Sequence, residues 1–268
     1  MKDLVEFRGG KYSQFGDEGI IQEILSRLKI GDKDSWCAEL GAWDGIHLSN
    51  TRALVERGWN AVLIEGDKEK AETLKENCAS YPKAIPVNEM TKDLDDVLHR
   101  SGAPGDLEFF SLDVDGDEWW LWYKMREHSP KVMVVEANYT FPFNVEFIQK
   151  RGLRIGSSAL SLALLGAKQG YTLVAYNVIN CFFVRTELLP LEGIRPRNFV
   201  ELFHLGSTLQ MGCHSSYDGE RFLSGDMVWG KCALKETPKM SEVAAHFKVN
   251  IGEDFKALMS DIERISAK

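Results

Sequence analysis

Two apolar runs joined by a very short link restrict the fold of this chain more than any other feature of its sequence. YTLVAYN (171–177) and CFFVR (181–185) are separated by only three residues. A crossover between parallel strands needs a dozen or more residues, so these two strands must pair antiparallel. Such a hairpin at the end of a sheet narrows the range of α/β folds considerably.

Five earlier apolar runs have the composition of strands, and amphipathic stretches with helical spacing lie between them. Near-continuous apolar strands that alternate with helices indicate a parallel sheet covered on both faces. We therefore predict an α/β fold with a seven-stranded, mostly parallel, Rossmann-like sheet whose last strand is antiparallel. The five earlier strands are predicted at 36–41, 61–66, 83–88, 108–114 and 131–138, and helices near 49–57, 67–79, 92–101, 118–127 and 157–169.

The pattern also divides the chain in two. It begins with a predicted helix after Gln14 and weakens beyond residue 190. We predict a core over residues 1–190 and a C-terminal extension over residues 191–268. The extension is expected to act as a lid, an acceptor-binding segment or an oligomer contact, and its end carries a helical pattern that includes Phe255 and Met259.

Charge and cysteine content exclude several classes of protein. The net charge of −8 disfavours general binding to nucleic acid or to an anionic membrane surface. No apolar run approaches the roughly 20 residues of a membrane span, and the first residues do not resemble a signal peptide. The five cysteines have no CxxC or similar spacing, which indicates reduced thiols and predicts a cytoplasmic protein.

A glycine-containing turn follows the first predicted strand, with the spacing E-x-G-x-x-x-G from Glu39 to Gly45. Glycines at such a turn let the backbone approach a ligand closely, and the next helix presents its N-terminus there. The dinucleotide fingerprint G-x-G-x-x-G is absent, which disfavours pyrophosphate. The acidic Glu39 suits a cationic ligand better than a phosphate. Gly41, Ala42, Trp43 and Gly45 are predicted to contact this ligand.

The second strand ends at Glu65, whose carboxylate could accept hydrogen bonds from both hydroxyls of a ribose. A ribose together with a positively charged, non-phosphate tail matches S-adenosylmethionine. Gln14 is expected to reach the carboxylate of this methyl donor, and Asn88 to lie near its adenine. Further contacts with the donor are predicted for Asn50, Gly66 and Asp113.

Several blocks of the sequence then resemble a known family. They are YSQFGDEGII, ELGAWDGIHLSNTRALVERGWNAVLIEGD, DVDGDEWWLW, VVEANYTFPF and SSALSLALLGAKQGYTLVAYNVINCFFVR. In this order, over residues 11–190, they are similar to the FkbM-like branch of class I S-adenosylmethionine-dependent methyltransferases. The resemblance implies a seven-stranded sheet with an antiparallel last strand, and donor binding at Glu39–Gly45 and Glu65. It also implies methylation of a hydroxyl on a sugar or secondary metabolite.

An acidic turn, SLDVDGDEWWLW (111–122), lies at the end of the fourth strand. It is not an EF-hand, because that loop needs Gly at its sixth position and Glu at its twelfth. Counted from Asp113, the glycine comes early at Gly116 and the twelfth residue is Lys124. Asp117 and Glu118 are expected to start the next helix, where acidic side chains complement the helix dipole.

The ends of the fourth and fifth strands are expected to lie side by side at one edge of the sheet. Asp113, Asp115, Glu136 and Asn138 would then surround one small volume with oxygen atoms that suit Mg²⁺, or Mn²⁺ or Ca²⁺. This set is similar to that of metal-dependent O-methyltransferases such as the catechol and sugar enzymes, although Ala137 here separates the last two ligands. Binding to the donor's amine or to the acceptor's hydroxyl remains an alternative for these carboxylates.

The predicted function is O-methylation of a sugar or metabolite hydroxyl with S-adenosylmethionine, assisted by the divalent ion. Asp113 or Asp115 is the expected proton acceptor, and His47 is a second candidate. The expected partner is a small molecule, with no nucleic acid or membrane, and the C-terminal extension could support a homo-oligomer. Three alternatives stay open: a metal-independent N- or carboxyl methyltransferase, a dehydrogenase on a dinucleotide fold, and a non-catalytic donor-binding partner protein.

Overall fold

The computed structural model describes residues 1–31, 34–207, 211–215, 221–225 and 243–266. Its centre is a seven-stranded sheet. The strands of this sheet are β1 (Trp36–Leu40), β2 (Asn60–Glu65), β3 (Ala84–Asn88), β4 (Phe109–Leu112), β5 (Val132–Glu136), β7 (Tyr171–Asn177) and β8 (Asn180–Arg185). Their order is β3-β2-β1-β4-β5-β8-β7. All neighbouring strands pair parallel except β8, which is antiparallel to both β5 and β7. This confirms the predicted fold class.

The hairpin between β7 and β8 is tighter than the sequence predicts. Asn180 joins β8 and pairs with Asn177, so only Val178 and Ile179 remain in the turn. Two-residue turns of this kind need positive φ angles, and Val178 has a φ of 59°. The antiparallel pairing itself is confirmed.

Helices cover both faces of the sheet, because successive side chains of each strand point to opposite faces. Phe109 packs with the helices of one face and Phe110 with those of the other. The first face carries α1 (Asp17–Arg27), α2 (Arg52–Glu56) and α3 (Lys68–Cys78). The second carries α4 (Leu94–Arg100), α5 (Glu118–Lys124), α6 (Ala159–Lys168), α7 (Phe199–Gly206) and α8 (Gly252–Ser266). Short 3₁₀ helices occupy Leu4–Phe7, Gln14–Gly16 and Thr186–Leu188.

Four strands that the sequence analysis does not predict form two small antiparallel pairs. β6 (Val145–Gln149) follows β5 and pairs with β11 (Ala244–Val249) near the end of the chain. β9 (Met211–Ser215) pairs with β10 (Arg221–Gly225). Through β11, a part of the C-terminal extension is joined to the core segment that follows β5.

The described helices of the extension pack directly against the core. The ring of Phe203 in α7 stacks on Tyr176 of β7, with 5.0 Å between the ring centroids. Met259 of α8 belongs to the same apolar core. The predicted functions of the extension concern a segment of which residues 208–210, 216–220, 226–242 and 267–268 lie outside the described residues.

No helix in the described part of the chain is long and apolar enough to cross a lipid bilayer. Cys37, Cys78 and Cys181 are free thiols and are buried. Cys232 lies outside the described residues.

Candidate functional site

The predicted site residues lie at the edge of the sheet where the parallel strands end. Glu65 is the last residue of β2, Gly41 follows β1, Asp113 follows β4 and Glu136 ends β5. The register places Glu136 opposite Asn180 of β8 at the same edge. The sheet therefore brings together side chains that are far apart in the sequence.

The glycine turn is packed between the ends of β2 and β4. The backbone N–H groups of Gly41 and Ala42 both donate to the carbonyl oxygen of Ile64, at 3.0 and 3.1 Å. Gly41 has a φ of 85°, and a Cβ at this position would overlap the carbonyl oxygen of Asp113. Contact with β4 therefore requires glycine here, whether or not a ligand also approaches. The approach of a ligand, which the sequence pattern indicates, is therefore not needed to explain this glycine.

Glu39 is buried, and its carboxylate is hydrogen-bonded by the segment that follows the glycine turn in the chain. The carboxylate accepts hydrogen bonds from Ser49 Oγ (2.6 Å), Thr51 Oγ1 (2.6 Å) and the backbone N–H of Asn50 (2.7 Å). Burial raises the pKa of Glu39, and these hydrogen bonds oppose that rise. In this conformation the Glu39 carboxylate holds residues 49–51 against the end of β1 and so stabilises the turn between them.

Asn50 carries an unused hydrogen-bond acceptor. Its Nδ2 donates to Ser111 Oγ at 2.9 Å, and its Oδ1 is buried without a partner among the described residues. A buried acceptor without a partner costs about 1–3 kcal/mol. The predicted ligand residue Asn50 therefore has the capacity for one more donor, as an amine or a water would supply.

Glu65 joins the turn after β2 to the glycine turn. Its carboxylate accepts from the backbone N–H groups of Trp43 (2.8 Å) and Asp67 (2.7 Å). Asn88 Nδ2 donates to the carbonyl oxygen of Glu65 at 2.9 Å. A Cβ at Gly66 would overlap the sulfur of Met90, so that side chain covers the glycine. Four of the predicted donor-binding residues, Trp43, Glu65, Gly66 and Asn88, thus lie together.

Two further predicted residues border the glycine turn. Gln14 is partly buried in a 3₁₀ helix, and its neighbour Ser13 forms a β-bridge with Leu48. The exposed imidazole of His47 packs against the ring of Trp43, with 5.3 Å between centroids. The His47 backbone N–H donates to Asp44 Oδ1 at 2.7 Å. His47 therefore belongs to the glycine turn, and among the described residues its imidazole forms no ion pair with Asp113, Asp115 or Glu136.

The acidic turn and the end of β5 form a cluster of carboxylates. Asp113, Asp115 and Glu136 each offer an oxygen atom, and these atoms lie within 4.8 Å of one another. Asp115 is exposed and has a φ of 58°, a conformation that costs free energy and is frequent at functional sites. We call these three residues the acidic cluster. They are three of the four predicted metal ligands.

The fourth predicted ligand, Asn138, uses its amide oxygen elsewhere in this conformation. Asn138 Oδ1 accepts from the backbone N–H (2.9 Å) and the hydroxyl (2.6 Å) of Thr140. Its Nδ2 donates to the carbonyl oxygen of Ile155 at 2.6 Å. Asn138 thus fixes the chain beside the acidic cluster, and its role as a ligand stays a prediction.

Crowding of the carboxylates changes their protonation. Burial raises the pKa of Glu136 well above its usual range, and the negative charges of Asp113 and Glu118 add to the rise. Burial also raises the pKa of Asp113, although a hydrogen bond from Glu136 opposes this effect. Such a cluster is relieved by a shared proton or by a cation. Oxygen donors at this spacing suit a divalent ion such as Mg²⁺.

Glu118 is a site residue that sequence reasoning missed, because it was assigned only to the start of α5. It is 1% exposed, and its Oε1 accepts from the backbone N–H groups of Val114 (2.9 Å) and Gly116 (2.7 Å). Burial raises the pKa of Glu118 to about 7. Glu118 therefore holds the acidic turn in shape. The sequence feature that could have indicated this role is an acidic residue at the first helical position, directly after D-V-D-G-D.

Asp117 stands at the N-cap position of α5, as predicted, but its carboxylate makes no capping hydrogen bond. It accepts instead from Gln149 Nε2 (2.7 Å) and the backbone N–H of Gly152 (2.9 Å). Asp117 is outside the acidic cluster, and it ties the acidic turn to the turn after β6.

Two clefts on the described surface lie away from the acidic cluster. One of about 210 Å³ is bounded by Trp43, Asp44, Glu69, Lys70 and Thr73, next to the glycine turn. A larger one of about 410 Å³ includes Tyr171, the first residue of β7, and so lies at the opposite edge of the sheet. None of the predicted site residues lines the larger cleft.

Several solved structures are distantly similar to this chain. No family model and no curated protein sequence matches the chain. One similar structure is a SAM-dependent methyltransferase from Aquifex aeolicus, with 9% identity, a TM-score of 0.40 and coverage of 61% of this chain and 87% of that one. Another is precorrin-6y C5,15-methyltransferase from Geobacter metallireducens GS-15, with 14% identity, a TM-score of 0.40 and coverage of 67% and 92%.

The mitomycin 7-O-methyltransferase MmcR is also similar, with 12% identity and a TM-score of 0.37. The match covers 62% of this chain and 53% of that enzyme, so it spans about half of the enzyme's length.

Proposed function

We propose that this protein is an S-adenosylmethionine-dependent methyltransferase that methylates a hydroxyl group of a small molecule with the help of a divalent ion. The observation that carries the proposal is the convergence of Asp113, Asp115 and Glu136 directly beside the glycine turn. The seven-stranded sheet with an antiparallel last strand, β8, agrees with what the family resemblance of residues 11–190 implies.

The residues at the ends of β1, β2 and β3 fit a nucleoside with a cationic tail. Glu65 and Asn88 lie together, and we assign Glu65 to the ribose and Asn88 to the base. The orphaned Oδ1 of Asn50 suits an ammonium group, and the surrounding carboxylates favour positive charge. When bound, S-adenosylmethionine supplies a methyl group activated by its sulfonium.

The acidic cluster fits a divalent ion because its three carboxyl groups are close and repel one another when all of them are ionised. Asp113, Asp115 and Glu136 would hold such an ion, which would supply a Lewis acid that makes an acceptor hydroxyl easier to deprotonate. Asp115 is exposed and held by a strained backbone, so it can meet an acceptor that arrives from solvent. Asp113 or Asp115 then accepts the proton that the hydroxyl loses.

The C-terminal extension, residues 191–268, is assigned to the acceptor side of the enzyme or to contact with a second copy. Support comes from the pairing of β11 with β6, the strand that follows the end of β5. Val249 pairs with Val145, and the Asn250 N–H donates to the carbonyl oxygen of Asn144, so this part of the extension contacts the start of β6.

Transfer of labelled methyl groups tests the proposal. The protein is incubated with S-adenosylmethionine and a panel of sugars and hydroxylated metabolites, in Mg²⁺ or in EDTA. We expect transfer to a hydroxyl in Mg²⁺, its loss in EDTA and in Asp115→Asn, and its retention in the exposed control Asp254→Asn. Full activity in EDTA would move the protein to the metal-independent N- or carboxyl methyltransferases, and failure to bind the donor would refute the proposal.

A further inference from the structure

We propose that the methyl acceptor is anionic, and that the turn of residues 150–154, here called the basic turn, binds its phosphate or carboxylate group. The sequence of the basic turn is KRGLR. The inference rests on the proposed function and names the substrate class of the same site.

The basic turn lies against both strand ends that supply the acidic cluster. On the β4 side, a Cβ at Gly116 would overlap the carbonyl oxygen of Leu153 and lie 3.3 Å from Arg154 Cα. On the β5 side, Asn138 Nδ2 donates to the carbonyl oxygen of Ile155, directly after the turn. The proposed donor site lies on the other side of β4, toward β1 and β2. The basic turn therefore lies on the side that remains for the acceptor.

The basic turn is held rigidly from beneath by Gln149, which is fully buried. Gln149 Nε2 donates to Asp117 and to the carbonyl oxygen of Leu153, both within 2.7 Å. Its Oε1 accepts from the N–H groups of Ile155 and Gly156, at 2.9 and 2.8 Å. A turn fixed in this way presents its charged side chains from a constant position, which lowers the entropic cost of binding.

Arg151 and Arg154 supply unpaired positive charge at this place. Both are exposed, and neither forms an ion pair with a carboxylate among the described residues. The guanidinium of Arg151 lies over the ring of Trp120, 4.7 Å from its centroid, and Trp120 Nε1 donates to the carbonyl oxygen of Gln149. Trp120 thus orients Arg151. Guanidinium groups bind carboxylates and phosphates through paired hydrogen bonds.

Charge complementarity selects an anionic acceptor. The acidic cluster repels an anion, so an acceptor with a negative group needs a cationic contact away from the cluster. Arg151 and Arg154 can supply that contact while the acceptor's hydroxyl lies at the cluster. If the arginines served only to neutralise the cluster, we would expect them to pair with its carboxylates. They do not, and so they remain available for a ligand.

The test measures binding of glucose, glucuronate and glucose 6-phosphate by calorimetry. The protein is saturated with S-adenosylhomocysteine and kept in EDTA, so that a metal ion cannot bind the anion. We expect glucuronate or glucose 6-phosphate to bind about tenfold more tightly than glucose, and the better of the two identifies the anion. The double variant R151Q/R154Q should lose this preference, and R151K/R154K should keep part of it.

Arg57→Gln is the matched control, because Arg57 is exposed at the end of α2 and has no ion pair among the described residues. Equal binding of the neutral and anionic sugars, including no binding of any, would overturn the inference. So would an unchanged preference in R151Q/R154Q or an equal loss in Arg57→Gln. Binding of S-adenosylhomocysteine is measured separately: its absence refutes the proposed function, whereas its presence without an anion preference refutes only this inference.

Discussion

A Cβ atom at Gly41 would overlap the carbonyl oxygen of Asp113. The glycine turn after β1 and the acidic turn after β4 are therefore in backbone contact, and the position of one depends on the other. The Asp113 N–H also donates to the carbonyl oxygen of Leu40, at 3.1 Å. The proposed donor site and the acidic cluster thus share one structural support.

We predict that Gly41→Ala is much more damaging than a glycine-to-alanine change at a similar backbone angle in open space. Gly58 provides the comparison, since its φ of 87° matches the 85° of Gly41 and a Cβ at Gly58 would have no atom within 4 Å. Gly58→Ala should cost only the left-handed strain, about 1–2 kcal/mol of unfolding free energy. Gly41→Ala should cost clearly more in urea unfolding, and equal costs would contradict the contact.

We predict that Glu65→Gln weakens binding of S-adenosylmethionine by tenfold or more, because a hydrogen bond to a charged group contributes about 1.5–3 kcal/mol. Calorimetry gives the dissociation constant. Binding of Mn²⁺ at the acidic cluster, measured on the same sample, should be retained and shows that the damage is local. An unchanged donor affinity would rule out the ribose assignment. Glu72→Gln, at an exposed position of α3, is the control.

We predict that Asp115→Asn lowers Mn²⁺ affinity at least tenfold and leaves donor affinity nearly unchanged. Asparagine tolerates the left-handed backbone of position 115, so the change removes charge without adding strain. Paramagnetic resonance of Mn²⁺ reports the bound fraction. The outcome that speaks against a metal site is Mn²⁺ binding by Asp115→Asn equal to that of the control Asp254→Asn.

We predict a pH-dependent stability effect from Glu118. Its pKa in the folded protein, about 7, lies above the ordinary value of 4.5, so protonation favours the folded state. This contribution is complete below pH 4.5 and is lost as the pH rises through about 7. In Glu118→Gln, the amide oxygen can keep both hydrogen bonds that Oε1 accepts, and nothing titrates.

The free energy of unfolding of the unmodified protein, measured in EDTA, should therefore fall relative to Glu118→Gln by up to about 3 kcal/mol between pH 4.5 and pH 8. Glu76→Gln, at an exposed position of α3, should show no comparable divergence. A constant difference between Glu118→Gln and the unmodified protein at all pH values would show that Glu118 is not protonated in the folded state.

The central sheet could be predicted from the sequence because its signals are local. The three-residue link before Cys181 permits only antiparallel pairing, and the apolar runs before Glu65 and Glu136 mark buried strands. Placement of Asp113 and Glu136 at one edge follows from parallel pairing of β4 and β5. The approach of Asp113 and Glu136 to each other could therefore be predicted once β4 and β5 were expected to be neighbouring parallel strands.

The remaining features depend on long-range contacts with no local pattern. β6 is a short strand that pairs with β11, about a hundred residues later in the chain. The sequence around Val145 contains no pattern from which this pairing could be predicted. The hydrogen bonds from Ser49 and Thr51 to the Glu39 carboxylate likewise depend on the path of the chain after the glycine turn, which brings these residues back to β1. Glu118 fits an ordinary helix start by sequence, and only tertiary burial shows its contact with the acidic turn.

The sharpest test of the donor assignment is calorimetric titration of the unmodified protein with S-adenosylmethionine, with NAD titrated in parallel. We expect one S-adenosylmethionine to bind per chain and NAD to give no comparable binding. Glu65→Gln should weaken the binding of S-adenosylmethionine. Absence of binding by S-adenosylmethionine, or binding of NAD at equal or greater affinity, would contradict the assignment of this protein as a methyltransferase.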